Sequence, residues 1–190
     1  VTGRPPSIAF RGRAISVELR ETPAGRREVV LHPGAVAILA PRDGRILLVR
    51  QMRDGAGCPL WEIPAGVLEP GERPLAAAKR ELMEETGLTA ETWRYLGLLY
   101  PTPGHSNERI FLFLAVGVRG TPTAGSEVDA VGFFTRGEIV RFARRGQGDG
   151  KTLAALALAD ATLSAVLVYR RDAEDAEKIG FGIDPQAQGD

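Results

Sequence analysis

Between Gly66 and Leu88 the chain reads Gly-Val-Leu-Glu-Pro-Gly-Glu-Arg-Pro-Leu-Ala-Ala-Ala-Lys-Arg-Glu-Leu-Met-Glu-Glu-Thr-Gly-Leu, which places Glu81, Glu84 and Glu85 within about one helical turn. The ends of that helix are legible. Pro74 suits a first turn, where a missing N–H costs nothing, and Gly87 suits the left-handed residue after a helix end. At about 100° per residue Leu75 and Leu82 fall together while the glutamates cover another sector, so one face is expected to pack and another to carry charge. Glu81 and Glu85 are i,i+4 neighbours, and like charges at that spacing destabilise a helix. The cluster calls for positive charge. A solvated face paired with Lys79 or Arg80 would supply it, and so would a hard cation such as Mg²⁺ or Mn²⁺, which takes oxygen ligands and binds phosphates.

With 190 residues, 44% of them apolar, the chain is long enough for one domain with a real core. Its 24 basic residues cancel its 24 acidic ones, so no global field draws it to nucleic acid or to an anionic membrane. A single cysteine, Cys58, excludes an internal disulfide framework and fits a reducing, cytoplasmic setting as an ordinary loop thiol. Val1 to Pro6 holds no signal-type apolar run. The apolar region from Leu153 to Tyr169 is interrupted by Asp160, Thr162 and Ser164, and reads as a buried or interface helix rather than a membrane span.

Ile8 to Leu19 and Arg26 to Leu31 read as the strands of an N-terminal hairpin around Glu21-Thr-Pro-Ala-Gly25. Ala35 to Ala40 and Arg45 to Arg50 form a second expected hairpin, joined by Pro41-Arg-Asp-Gly44. Trp61 to Ile63 is a short strand leading to Pro64-Ala65-Gly66. Trp93 to Leu99 and Ile110 to Val118 are further strands, separated by a loop from Tyr100 to Arg109. Val131 to Phe134 is a strand, Glu138 to Arg145 a helix, and a second alanine- and leucine-rich helix begins at Gly150. The sequence turns polar beyond Asp172. These elements predict an α/β fold with a mixed β-sheet, helices on its faces and an N-terminal antiparallel hairpin. The expected organisation is 1–33 for the hairpin segment, 34–172 for the main domain and 173–190 for a polar tail.

The spacing G, five residues, E, seven residues, R-E-apolar-x-E-E-x-G-apolar resembles the signature of the Nudix hydrolases with every fixed position filled. The resemblance implies an α/β/α sandwich and a metal-dependent hydrolase. It implies that the Ala65 carbonyl, Glu81 and Glu85 are the principal ligands of Mg²⁺ or Mn²⁺, with Glu84 joining when substrate and further metal are present. On this resemblance Glu84 and Glu85 belong to the catalytic apparatus. Arg80 reads as a residue that orients Glu84 one turn away. Gly66 and Gly87 read as backbone devices, and Glu72 as a structural anion near the helix start.

Three flanking features resemble the ADP-ribose or ADP-sugar pyrophosphatase branch of that family: Arg50-Gln-Met-Arg53 before Trp61-Glu-Ile-Pro-Ala-Gly66, Pro103 fifteen residues after Leu88, and Tyr100-Pro-Thr-Pro-Gly104 followed by Glu108. The resemblance makes Glu108 the candidate general base. It makes Arg53, Glu69, Pro103 and Gly104 candidates for contacting substrate, and His105 a loop histidine. Arg27 and Glu28 are weaker candidates on the N-terminal hairpin, which in this branch commonly crosses to a second subunit and completes its pocket. The expected protein is a homodimer that acts on a small nucleoside diphosphate sugar and needs neither nucleic acid nor membrane. Its expected reaction is hydrolysis of ADP-ribose, or a related ADP-sugar, to AMP and a sugar phosphate. Two alternatives stand beside it: a pyrophosphatase for another nucleoside diphosphate derivative or an oxidised nucleotide, and a module that binds ADP-ribose without cleaving it.

Overall fold

The computed structural model describes residues 5–13 and 15–161. Three antiparallel strands, β1 (Ser7–Arg11), β2 (Ser16–Thr22) and β3 (Gly25–Leu31), form an N-terminal sheet in that order. The expected hairpin is therefore a three-stranded meander. The run from Ile8 to Leu19 is broken at Gly12, whose N–H donates to the Ile15 carbonyl at 2.9 Å and closes a turn. The second reversal needs only Pro23 and Ala24, with the Thr22 hydroxyl donating to the Gly25 carbonyl.

The central layer contains β4 (Ala35–Leu39), β5 (Pro41–Arg42), β6 (Arg45–Arg53), β7 (Cys58–Glu62), β8 (Ala65–Val67), β9 (Thr89–Leu99), β10 (Ile110–Arg119) and β11 (Ala130–Phe134). One sheet runs β8-β4-β10-β9 and is mixed, because β4 and β10 are parallel. The other runs β11-β6-β5, with β7 also pairing β6. Asp43 and Gly44 both have positive φ, 52° and 72°, and make the tight turn between β5 and β6. The expected pairing of 35–40 with 45–50 is mostly absent. Both edges of β4 are filled by β8 and β10, so β6 belongs to the other sheet, and one bond from the Leu47 N–H to the Ala40 carbonyl marks the crossing.

Helices cover both faces. Successive residues of β4 point to opposite sides. Ala35, Ala37 and Leu39 join a core with Ile139, Ala155, Leu156 and Ala159, which belong to α2 (Arg136–Arg144) and to α3, over 150–161. Val36 and Ile38 join a second core with Ala77, Ala78 and Leu82 of α1 (Pro74–Thr86). This two-sided burial explains why β4 reads as a continuous apolar run instead of an alternating one. It also makes the molecule an α/β/α sandwich.

The helix ends lie where the sequence places them, with Pro74 in the first turn and Gly87 left-handed at φ 68°. The packed face differs from expectation. Leu75, in the first turn, is exposed, while Ala77, Ala78, Leu82, Glu85 and Thr86 are buried. One glutamate of the acidic cluster therefore lies on the packing side.

The segment after β10 docks on the end of α1. The Thr123 N–H donates to the Thr86 carbonyl at 2.9 Å and the Gly125 N–H to the Glu85 carbonyl at 3.0 Å. A Cβ on Gly125 would lie 2.0 Å from the Glu84 carbonyl oxygen, an atom that cannot swing away. Gly125→Ala should therefore lower stability in denaturant unfolding by roughly 1–3 kcal/mol, the usual range for overpacking. Gly104→Ala, where a Cβ meets nothing within 4 Å, should stay within about 0.5 kcal/mol of the parent.

At the start of α2 the Thr135 side chain accepts from the Glu138 N–H while the Glu138 carboxylate accepts from the Thr135 N–H. That bond holds the Glu138 carboxyl below its ordinary value, as the Arg136 ion pair does for Asp160 on α3. Depressed carboxyl pKa values contribute stability that is present above the unfolded values and lost as pH falls through the folded ones. The difference in thermal midpoint between the parent and Glu138→Gln should accordingly be full at neutral pH and shrink on acidification below about pH 4.

Candidate active site

Strand β8 lies at the edge of its sheet, directly against α1. The Ala65 N–H donates to Glu85 Oε2 at 3.0 Å. At the next residue, a Cβ on Gly66 would fall 1.9 Å from the Glu81 carboxyl carbon. With no side chain at Gly66, the Glu81 carboxylate occupies that space. Backbone and carboxylates are thus brought together by the shortness of one strand and the absence of one side chain.

Arg80 ties the rest of the cluster. Its Nε and Nη2 donate to the two oxygens of Glu72 at 3.0 and 2.8 Å, and its Nη1 to Glu81 at 2.6 Å and to Glu84 at 3.1 Å. Nη2 also reaches the Val67 carbonyl. Arg80 therefore meets Glu84 as expected, and joins Glu72 and Glu81 to it. Glu72 accepts from the Glu69 N–H as well, so it organises the loop before α1. Hydrogen bonding from Arg80 holds the Glu72 carboxyl below its usual range.

Among the described residues no side chain donates a hydrogen bond to Glu85. Burial pushes its carboxyl up to about 8, against the opposing Ala65 N–H, and the charges of Glu81 and Glu62 push the same way. Burial also raises the Glu81 carboxyl, opposed by Arg80 and reinforced by Glu84 and Glu127. Buried carboxylates with incomplete compensation fit a cation. Among the described residues no three His, Cys, Asp or Glu side chains form a closed cage. Hard oxygens on Glu81, Glu85 and the backbone at Ala65 could hold an ion in an open arrangement, which suits one that keeps waters and shares phosphate oxygens.

The cluster faces a cavity of about 620 Å³ whose walls include Gln51, Arg53, Ala65, Gly66, Glu69, Arg80, Glu81, Glu84, Glu85, Ser126 and Glu127. Of the residues singled out from the sequence, Arg53, Ala65, Glu69, Glu81, Glu84 and Glu85 meet there. Glu108 lines a smaller adjoining cavity of about 240 Å³ with His32 and Lys151, which shares Arg53, Ala65, Gly66 and Val67 with the first. Pro103 and Gly104 are exposed and line neither cavity. Arg27 and Glu28 are exposed on β3, opposite Arg20 and Leu19 of β2, and also line neither.

Glu127 was missed. Docking of 123–125 on α1 carries it to the carboxylates, and the only local cue is an acid following the small pair Gly125-Ser126. The loop containing Pro103 is tied to the N-terminal sheet: the Val30 N–H donates to the His105 carbonyl at 2.9 Å and the Asn107 N–H to the Val30 carbonyl at 3.0 Å.

Comparison with known proteins bears on this arrangement. The NUDIX domain profile matches residues 30–156. The chain is 46% identical over 112 residues to the ADP-ribose pyrophosphatase of Bacillus subtilis (strain 168), a match covering 56% of this chain and 60% of that protein. It is 46% identical over 127 residues to the ADP-ribose pyrophosphatase of Mycobacterium tuberculosis (strain ATCC 25618 / H37Rv), covering 64% of this chain and 61% of the relative. The chain thus spans somewhat less than two thirds of the length of these relatives. A crystal structure described as an ADP compounds hydrolase shares the fold with a TM-score of 0.70 at 22% identity, covering 86% of this chain and 94% of that one. With its signature helix set against β8 and the domain profile spanning most of the described sandwich, the chain belongs to the Nudix family.

Proposed function

We propose that the protein hydrolyses the diphosphate linkage of ADP-ribose, or of a related ADP-sugar, to AMP and a sugar phosphate. One observation carries this reading: the α1 carboxylates, the backbone at Ala65 and the guanidinium of Arg53 face a single cavity. Similarity to two ADP-ribose pyrophosphatases supports the choice of substrate. We further propose that residues 34–172 form the hydrolase domain, flanked by the N-terminal segment 1–33 and a tail, 173–190, that lies outside the described residues.

In this reading Glu81, Glu85 and the Ala65 carbonyl hold Mg²⁺ or Mn²⁺, with Glu84 added when substrate is present. A bound divalent ion would neutralise phosphate charge and make a water more acidic. Arg53, which lines the same cavity, orients the diphosphate. Water attacks one phosphorus, the bridging P–O bond breaks, and AMP and the sugar phosphate depart. The proton released by that water needs an acceptor. The sequence points to Glu108, and the geometry favours Glu127, which shares the larger cavity with the α1 carboxylates while Glu108 lines the smaller one.

The N-terminal sheet supports the proposed homodimer. Ile8 and Phe10 on its first strand, and Ile15 just before its second, are exposed apolar residues. Arg27 and Glu28 stand clear of their own chain's cavities, as residues contributing to a second subunit's pocket would. We also place the protein in the cytoplasm, on its single cysteine; among the described residues no helix is long and apolar enough to cross a membrane.

A panel of ADP-ribose, other nucleoside diphosphate sugars, dinucleoside polyphosphates and oxidised dGTP, assayed with Mg²⁺ and Mn²⁺, tests the substrate. ADP-ribose should turn over fastest; binding without product would favour the non-catalytic alternative. Glu85→Gln should lower kcat at saturating Mg²⁺ by at least about 100-fold with the fold unchanged, because even outer partners of metal sites are worth 10–100-fold. A near-parental rate would remove Glu85 from the metal site. Glu127→Gln should lower kcat by roughly 10²–10⁴-fold, as loss of a general base does. A loss of that size in Glu108→Gln, with Glu127→Gln active, would return the role to Glu108.

A further inference from the structure

The sequence Gly148-Asp-Gly-Lys-Thr152 has no part in the reading above, yet it enters the centre of the molecule. The Trp61 N–H donates to the Gln147 carbonyl at 2.8 Å, which seats this segment beside β7. The next residue of β7, Glu62, is 1% exposed. Its carboxylate is shared between two cations. Oε1 accepts from Arg53 Nε at 2.7 Å and from Arg53 Nη2, while Oε2 accepts from the Lys151 ammonium.

Lys151 is itself fixed. Its ammonium also donates to Asp149 Oδ2 at 2.7 Å, and the lysine side chain is only 11% exposed. The other Asp149 oxygen accepts from the N–H and hydroxyl of Thr152, whose hydroxyl in turn accepts from the Ile63 N–H at 3.0 Å. Two acids and two bases thus form a neutral chain between the start of α3 and the site. Its far end is Arg53, with two guanidinium nitrogens spent on Glu62. Among the described residues Arg53 Nη1 has no protein partner, and Arg53 lines both cavities.

We propose that Lys151 is a positioning residue: through Glu62 it sets the direction in which Arg53 presents its free edge to the substrate diphosphate. The inference rests on the functional reading above. A carboxylate buried with a single cation can rotate toward it, whereas one bridged between two cations is held at both oxygens. Arg53 then inherits that orientation, and misplacement of a binding group by about 1 Å is enough to cost roughly 100-fold.

The test compares Lys151→Met, Lys151→Arg, Glu62→Gln/Lys151→Met and Arg53→Ala, with thermal midpoints measured for each. Lys151→Met should raise KM for ADP-ribose about 10- to 100-fold with kcat changed much less, and Lys151→Arg should recover most of the loss. In the Arg53→Ala background, Lys151→Met should add nothing further. By NMR, exchange of the Arg53 Nε–H with water should be faster in Lys151→Met than in the parent. Additive KM effects would make Lys151 a direct substrate contact and overturn the proposal. So would a fall in thermal midpoint with KM and Nε–H exchange unchanged, which would leave Lys151 a purely structural residue. If Lys151→Met does not fold, the charge-neutral Glu62→Gln/Lys151→Met variant carries the same measurements, and parental KM and Nε–H exchange in it would overturn the proposal. Parental protein that hydrolyses no ADP-ribose would refute the functional reading instead, and Nε–H exchange would still decide whether Lys151 sets Arg53.

Discussion

The charge imbalance between α1 and β8 organises this molecule. Glu72, Glu81 and Glu84 draw on one guanidinium, that of Arg80, while Glu85 is buried and, among the described residues, has only the Ala65 N–H as its donor. Removing a carboxylate from water without a matching cation is costly. The surrounding fold must therefore be firm enough to hold that arrangement, and the two apolar cores supply the firmness. Ala77, Ala78 and Leu82 anchor α1 on the sheet, so that Glu81 and Glu85 cannot simply turn out to solvent.

Firmness depends in turn on β4. Paired on both edges and buried on both faces, it is the element from which β8 and β10 are hung. The Ala65–Gly66 backbone owes its position to this pairing, and Gly66 allows the Glu81 carboxylate to come within contact of the strand. A second polar system approaches from the other helical layer. Glu62 is enclosed by Arg53 and Lys151, so Arg53 is held at the cavity by charge pairing where α1 is held by hydrophobic packing.

The residues that line the cavity belong to distant stretches of chain. Arg53 lies at the end of β6, the carboxylates on α1, and Ser126 with Glu127 in the segment that docks on the end of α1. Nudix membership accounts for the signature helix and its cluster of carboxylates. The proposed choice of an adenosine diphosphate sugar rests on the residues around it, supported by similarity to the two pyrophosphatases and by the presence of Arg53 at the cavity.

The acidic helix was legible because its cues are local: proline and glycine act on the backbone at their own positions, and i,i+4 charge spacing follows from helical pitch alone. The resemblance to the Nudix signature was likewise a matter of spacing along one segment. Local cues misjudged Leu75, because burial depends on whether the sheet extends beneath the first turn, and they paired β4 with β6, because nothing near those strands reports that β8 and β10 already occupy both edges of β4. Where Arg27, Glu28, Pro103 and Gly104 stand relative to the cavities is likewise not a local matter, since hairpin and loop placement is set by contacts such as those of Val30 with His105 and Asn107. Glu127 carries only the faint cue of an acid after Gly125-Ser126, and Lys151 carries none. Each gains its place from backbone hydrogen bonds made between segments far apart in the chain, and only the packed molecule brings those bonds into being.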